Sequence, residues 1–234
     1  MRGKDEIPMN REKTEYFGKY FKMPWVKTLT KDPETGFPIV EPCHVIPDGL
    51  ARFDKINETT DRNRFVSMFQ HDPRLPWHGD EAPWPNIGEQ AKKLLGFAGV
   101  IAPDYSVYSD MDEPAQRWNV YKNRVMSCFL RELGHLVIPC VQWADEPTFK
   151  FCFRSLPKHS VVAVSSIGCR SGLMSAKSFG IGYNRMVVEI EPVAVVFNGP
   201  KPDVELEGPP RIYYDSRTGD KSSFDQMQLF REVC

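Results

Sequence analysis

The chain has 234 residues, a length that supports one substantial hydrophobic core and is ordinary for a single α/β domain. Its 30 basic and 31 acidic residues leave a net charge of -1, which excludes a global attraction to nucleic acid but not a local basic patch. No stretch approaches the roughly 18 apolar residues of a membrane span, and residues 1–17 lack the apolar core of a signal peptide. With scattered cysteines typical of a reducing compartment, we expect a soluble cytoplasmic protein without membrane contact.

Residues 1–44 differ in composition from the rest of the chain. They are polar, rich in proline and lysine, and carry isolated aromatic residues such as Trp25. This composition is typical of an extended arm that is held to a globular body by a few apolar contacts. We predict an N-terminal arm over 1–44 and one α/β domain over 45–234.

Short apolar runs that end in polar residues recur through the second part of the chain. Bounded by turn signals, such runs are typical of buried parallel strands. The predicted strands are VEPCHVI or FVSMF, then GVIAP, HLVIPCV, SVVAV, AVVFN and RIYYD.

Helical patterns separate these strands. A first helix is predicted from Asp112 or Pro114 to Gly134, because apolar residues recur there at helical spacing. A second is predicted over Asp145–Leu156, whereas 175–190 is a weaker helix pattern because it contains two glycines. The polar side chains of the first helix are expected at the surface or in structural hydrogen bonds, with a phosphate contact by Arg124 as the alternative.

Alternating strands and helices are compatible with an open doubly wound sheet or with a (β/α) barrel. The G-x-G-x-x-G turn of a dinucleotide-binding sheet is missing after the first strand, and FGIGYN is a weak phosphate signal. We therefore favour the barrel. Because such barrels usually take about 250 residues, we predict a reduced or distorted TIM-like barrel.

Polar residues follow three of these strands directly. In parallel α/β proteins ligands bind at the carboxyl ends of the strands, so these residues are predicted to gather at one rim as a binding site. The predicted binding residues are Asp104, Tyr105, Gln142, Trp143, Ser166, Gly168 and Arg170. For Asp104 the alternative is a turn-capping role. For the small-residue turn at 165–172, we consider both an anion-binding site and a turn without a binding role.

Two further carboxylates, Asp72 and Asp215, come shortly after candidate strands. They are candidate catalytic residues, and the alternative is that both are plain loop residues. The five histidines and six cysteines lack metal-ligand spacing, so neither zinc nor any other cofactor is predicted.

Several motifs together resemble a known family. They are VIPDGL, GVIAPDYSVYSDM, QRWNVYKNR, VIPCVQWADEPTFKFCF and VAVSSIGC, spread over roughly residues 45–215. In order and spacing they resemble the bacterial and phage family catalogued as domain of unknown function 4417, a name that carries no activity. VIPCVQW and VAVSSIGCR are also similar, more distantly, to barrel strands of queuine-type tRNA-guanine transglycosylases and of phage enzymes that place 7-deazaguanine bases in DNA.

The distant resemblance implies a nucleobase exchange. It places Asp104 as the carboxylate that reads the purine, Asp72 near the proton carrier and Asp215 near the nucleophile. Gln142 and residues 166–168 would hydrogen-bond the base, and Tyr105 or Trp143 would stack on it. The chain departs from these enzymes at Pro73, where they have a Gly-Gly-Phe turn, and it lacks their zinc cysteines.

The leading hypothesis is thus a phage- or plasmid-type protein that handles a purine or 7-deazapurine base, free or in nucleic acid. Two other classes stay open. One is a non-catalytic counter-defence factor that binds a nucleotide or a host protein. The other is a DNA-binding accessory protein of replication, which the neutral net charge disfavours.

Overall fold

The computed structural model describes residues 24–69, 92–171 and 174–225. The elements alternate along the chain. Eight strands are described: β1 (Leu50–Arg52), β2 (Phe65–Ser67), β3 (Gly99–Ile101), β4 (Val137–Ile138), β5 (Val161–Ser165), β6 (Ala194–Asn198), β7 (Arg211–Tyr214) and β8 (Lys221–Asp225). Four α-helices have both ends within the described ranges: α1 (Glu113–Glu132), α2 (Glu146–Cys152), α3 (Ile167–Ser171) and α4 (Ala176–Ile190).

The strands form two four-stranded sheets in chain order. The first is β1-β2-β3-β4 and is parallel throughout. In the second, β5, β6 and β7 are parallel, whereas β8 returns antiparallel to β7 through the turn at 215–220. The protein is therefore a mixed α/β fold with mostly parallel strands.

Contacts between the two sheets are limited. A single parallel bridge joins Cys140 to Ala163, and on the other side the Leu50 amide donates to the Gly219 carbonyl at 2.7 Å. One apolar cluster nevertheless takes a residue from each of the seven parallel strands: Leu50, Phe65, Ile101, Ile138, Ala163, Val196 and Ile212. The strand faces that share this cluster are called the inner faces below.

The helix boundaries follow from local chemistry. Helix α1 has Pro114 in its first turn and ends before Gly134, whose φ of +88° suits a glycine. Ser175 caps α4 by accepting a hydrogen bond from the Ser178 amide, and Glu191 closes it in the left-handed conformation.

The sequence prediction of an α/β fold is confirmed, as are strands at the five later runs and at FVSMF. VEPCHVI is not a strand, and both β1 and β8 were missed. The weakly predicted helix over 175–190 is regular from Ala176 to Ile190. Its two glycines lie where neighbouring segments approach the helix closely. A Cβ at Gly182 would lie 2.0 Å from the Trp143 ring nitrogen.

The described part of the predicted arm, 24–44, packs on the body. Val26, Phe37, Val40 and Cys43 are buried, and the amide of Val40 donates to the Ser155 carbonyl at 2.9 Å. Apolar contacts and backbone hydrogen bonds thus hold this segment in place.

Candidate functional site

The inner faces of three strands, β2, β5 and β6, change from apolar to polar at their carboxyl ends. Side chains alternate along a strand, so Ser67 shares the face of Phe65, and Ser165 and Asn198 share the faces of Ala163 and Val196. Ser165 and Asn198 are also register partners. A polar layer therefore closes the inner cluster at the end where parallel α/β proteins bind ligands.

The loop after β3 is held by polar side chains of α1. The side-chain amides of Gln116, Asn119 and Asn123 donate to the carbonyls of Tyr108, Ser106 and Pro103 at 2.7, 2.5 and 2.6 Å. The three donors follow helical spacing and all are buried. This ladder fixes the backbone that carries Asp104 and Tyr105.

Arg124 continues this buried network and is fully buried. Its guanidinium donates to the Asn123 side-chain oxygen, to the Cys152 carbonyl at 2.6 Å and to the Cys140 carbonyl at 3.5 Å. Burial lowers the pKa of Arg124 to about 10. The alternative that Arg124 contacts a phosphate is therefore wrong, since its donors are directed to backbone carbonyls inside the protein.

Asp104 lies half-buried next to the end of β4. Its carboxylate hydrogen-bonds the fully buried Cys140 thiol, and burial together with this negative neighbour raises the pKa of Cys140 well above its usual value. The thiol therefore stays protonated as a donor, and the Asp104 carboxylate lies beside it, next to the end of β4.

Gln142 lies beside this carboxylate's loop and is 6% exposed. Its amide nitrogen donates to the Tyr105 carbonyl at 3.4 Å, which joins the loops after β3 and β4. Its buried oxygen, Oε1, has no hydrogen-bond partner among the described residues. A buried acceptor without a partner costs about 1–3 kcal/mol, so a donor that reaches it would be bound favourably.

The two aromatic residues of the predicted site are buried. Tyr105 is 1% exposed with its ring under the Lys122 ammonium, 4.5 Å from the ring centroid. Trp143 is 5% exposed and packs against Phe153 and Phe179 in the core. Stacking of either ring on a base stays a prediction, and this burial does not favour it.

Ser166 links β5 directly to α3, which begins at Ile167 and includes Gly168. The Ser166 amide donates to the Asn198 carbonyl at 3.3 Å, and its hydroxyl donates to the Pro200 carbonyl at 2.6 Å. Gly168 is half-buried, and a Cβ there would meet nothing within 4 Å. The Arg170 backbone lies in α3, but its side chain is outside the described part of the structure, so its predicted role stays a prediction.

Asp215 follows β7 and organises the turn to β8. Its Oδ1 accepts from the amides of Arg217 and Thr218 at 2.7 and 3.1 Å, and these bonds lower the pKa of the carboxyl group. This is the turn-capping geometry of an Asx residue. Asp215 also lines a cavity of about 390 Å³ between the ends of β6, β7 and β8.

The structure thus connects Asp104 with Cys140, Gln142 with the backbone of Tyr105, and Ser166 with the end of β6. Asp72 lies outside the described residues, so the predicted catalytic pair of Asp72 and Asp215 stays a prediction. The sequence analysis missed Ser67, Asn198 and Arg217. Asn198 carries the signal used for the other residues, a polar residue at the end of an apolar run, whereas Ser67 lies inside the run FVSMF.

A family model described as Domain of unknown function (DUF4417) matches residues 30–213. The chain belongs to this family. This DUF4417 chain is 31% identical over 119 residues to the Gene 1 protein of Mycobacterium phage L5, covering 51% of this chain and 52% of the relative. It is 30% identical over 112 residues to the Gene 1 protein of Mycobacterium phage D29, covering 48% and 42%.

The chain therefore spans about half the length of these curated phage relatives. No solved structure matches it. Within the described ranges of this DUF4417 protein, no cluster of His, Cys, Asp or Glu is arranged to hold a metal ion. In the same ranges, none of the helices combines the length and the apolar character needed to cross a bilayer.

Proposed function

We propose that this protein binds a purine or 7-deazapurine base, as a nucleobase-handling protein of phage or plasmid origin in the bacterial cytoplasm. The observation that supports this most directly is Gln142 Oε1, a buried acceptor without a described partner at the carboxyl end of β4. Small-molecule sites are recognised by such convergent polar groups at strand ends.

The chemistry of the two acceptors favours guanine-type bases. Asp104 offers a carboxylate, and Gln142 offers an amide oxygen whose own N–H donates to the Tyr105 carbonyl. Two acceptors on the loops after β3 and β4 would be matched by an edge with two N–H donors. Guanine presents N1–H and N2–H₂ side by side on its Watson–Crick edge, whereas adenine presents one donor group beside an acceptor.

The architecture supports a barrel-like arrangement around this site. The seven parallel strands occur in chain order, contribute to one inner apolar cluster, and are bridged at Cys140–Ala163 and at Leu50–Gly219. We propose a distorted TIM-like barrel, in which the rim formed by the strand ends is the binding face.

Base exchange is the catalytic form of the same proposal. The Asp215 carboxylate would attack the sugar carbon C1′, the glycosidic bond would break, and the departing base would take a proton from an acid such as Asp72. A second base would then displace the carboxylate and give its ring N–H proton to the deprotonated acid, so the exchange balances without an oxidant or metal. The lowered pKa of Asp215 supports the role of nucleophile, because the attacking carboxylate must be ionised.

The binding proposal is tested by isothermal titration calorimetry with guanosine and adenosine. We expect guanosine to bind more tightly than adenosine. Asp104→Asn and Gln142→Met should each weaken guanosine binding about tenfold or more, because each removes a hydrogen bond worth roughly 1–3 kcal/mol. Thermal unfolding of both variants checks that they remain folded.

Asp110→Asn is the matched control, since it makes the same change at an exposed position of the same loop. It should bind guanosine like the unmodified protein. Absence of guanosine binding at millimolar concentration, or equal binding by the Asp104 and Asp110 variants, contradicts the proposed site.

A further inference from the structure

The cavity beside Asp215 is lined by charged and hydroxyl groups that the proposed base site does not use. Its volume of about 390 Å³ is in the range of ligand pockets, roughly 300–1,000 Å³. It is lined by Gly199, Pro200, Asp215, Ser216, Arg217 and Ser222. The lining thus combines a carboxylate, a guanidinium and hydroxyl groups.

Arg217 supplies the positive charge. Its side chain is 84% exposed, and its one described ion pair is a contact of 3.6 Å with Asp215 Oδ2. A guanidinium has five N–H donors in a planar fork that matches phosphate oxygens. Most of these donors are therefore open to an anion that enters the cavity.

Asp215 is suited to accept hydroxyl groups. Two backbone amides hold its Oδ1, so the carboxylate has a fixed orientation, and Oδ2 remains directed to the side of Arg217. A fixed carboxylate is a good acceptor for the O–H donors of a sugar, because hydrogen bonds to charged acceptors are the stronger ones.

The cavity wall contacts Ser166, one of the predicted base-binding residues. The Ser166 hydroxyl donates to the Pro200 carbonyl at 2.6 Å, and the Gly199 amide donates to the Tyr214 carbonyl at 2.9 Å. Gly199 has a φ of +123°, and a Cβ there would lie 2.8 Å from Ser166 Oγ. A glycine is required at this point because the two loops approach so closely.

We propose that this cavity binds the ribose phosphate of a mononucleotide, with the sugar hydroxyls on Asp215 and the phosphate on Arg217. The inference rests on the proposed function, in which Asp104 and Gln142 hold the base. A mononucleotide is favoured over a nucleic acid strand because the lining offers one arginine and the chain has a net charge of -1.

The test compares guanosine with guanosine 5′-monophosphate by isothermal titration calorimetry of the full chain. We expect the nucleotide to bind about tenfold more tightly, since a charge-assisted contact to phosphate is added. Arg217→Gln should remove this difference and leave guanosine binding unchanged. Arg185→Gln is the matched control, because Arg185 lies on α4 and pairs with Glu189.

The outcomes separate the two proposals. Equal binding of guanosine and its monophosphate by the unmodified protein overturns the ribose phosphate inference and leaves the base site intact. Binding of neither overturns both. Tighter binding of a guanine-containing oligonucleotide than of the mononucleotide overturns the choice of a mononucleotide.

Discussion

The loop after β3 and the turn after β7 hold their aspartates in opposite ways. Asp104 lies in a loop whose backbone carbonyls accept hydrogen bonds from three buried side-chain amides of α1. Asp215 instead pins its own turn, by accepting from amides two and three residues ahead. The first arrangement depends on tertiary packing, whereas the second is local.

This difference determines what a substitution should cost. A buried hydrogen bond leaves an unpaired carbonyl behind when its donor is removed, because water does not reach the site. In the exposed turn, water replaces a lost partner. Substitutions that release the loop after β3 should therefore lower stability and weaken binding together. Substitutions in the turn after β7 should weaken binding with little effect on stability.

The largest effect is expected for Asn123→Leu. Asn123 is fully buried, and its loss leaves the Pro103 carbonyl and an Arg124 donor without their partner. We expect a loss of about 2 kcal/mol in the free energy of unfolding, measured by urea denaturation. Guanosine binding should weaken as well, since the backbone before Asp104 is released.

Asn184→Leu makes the same change at an exposed position of α4 and serves as the control. It should leave the unfolding midpoint nearly unchanged. If the two variants are equally stable, the amide ladder of α1 does not pin the loop.

The sequence alone predicts the strands of this fold better than the contacts of its helices. Apolar runs such as SVVAV and AVVFN identify buried strands because every residue in them avoids water. Strand β1 has three residues, and β8 is largely exposed, so neither carries that signal. β8 pairs with β7 across the 215–220 turn, and the same turn contacts Leu50 of β1.

The polar face of α1 shows most clearly which contacts the sequence alone does not predict. Gln116, Asn119 and Asn123 recur at helical spacing, and a polar stripe of that kind usually indicates a solvated face. Here the partners are carbonyls of a loop 8 to 20 residues earlier, which only the tertiary structure brings into reach. Likewise, the sequence predicts both Gln142 and Trp143 as binding residues after β4, but Trp143 packs in the core.

A pH titration gives an intermediate effect at the far end of α1. His135 is 8% exposed, its Nε2 has no hydrogen-bond partner among the described residues, and burial lowers its pKa. The unfolded chain therefore takes up the proton first. Stability should be constant above about pH 6.5 and fall as the pH drops below it, by at most about 1.4 kcal/mol per pH unit for this one proton.

Urea midpoints at pH 7.5, 6.5 and 5.5 measure this dependence. His135→Gln should flatten it, and His44→Gln, at an exposed position, should not. Identical slopes for both variants would show that other groups set the acid sensitivity.

The smallest effect on stability is expected for Asp215→Ala. The substitution removes the acceptor of two turn amides, but both amides are near the surface and can donate to water. The unfolding midpoint at pH 7 should therefore shift much less than for Asn123→Leu. Because the folded carboxyl has a lowered pKa, its contribution is present above about pH 3.8 and lost as the pH falls further.

Asp215→Asn sharpens this prediction, since the amide oxygen can still accept from both turn amides while the charge is removed. It should leave the midpoint unchanged and weaken the binding of guanosine and of guanosine 5′-monophosphate alike, because both carry the ribose hydroxyls assigned to Asp215. A destabilisation by Asp215→Ala as large as that of Asn123→Leu would mean that the turn supports the sheet through Leu50 and Gly219, and the local character assigned to it would be wrong.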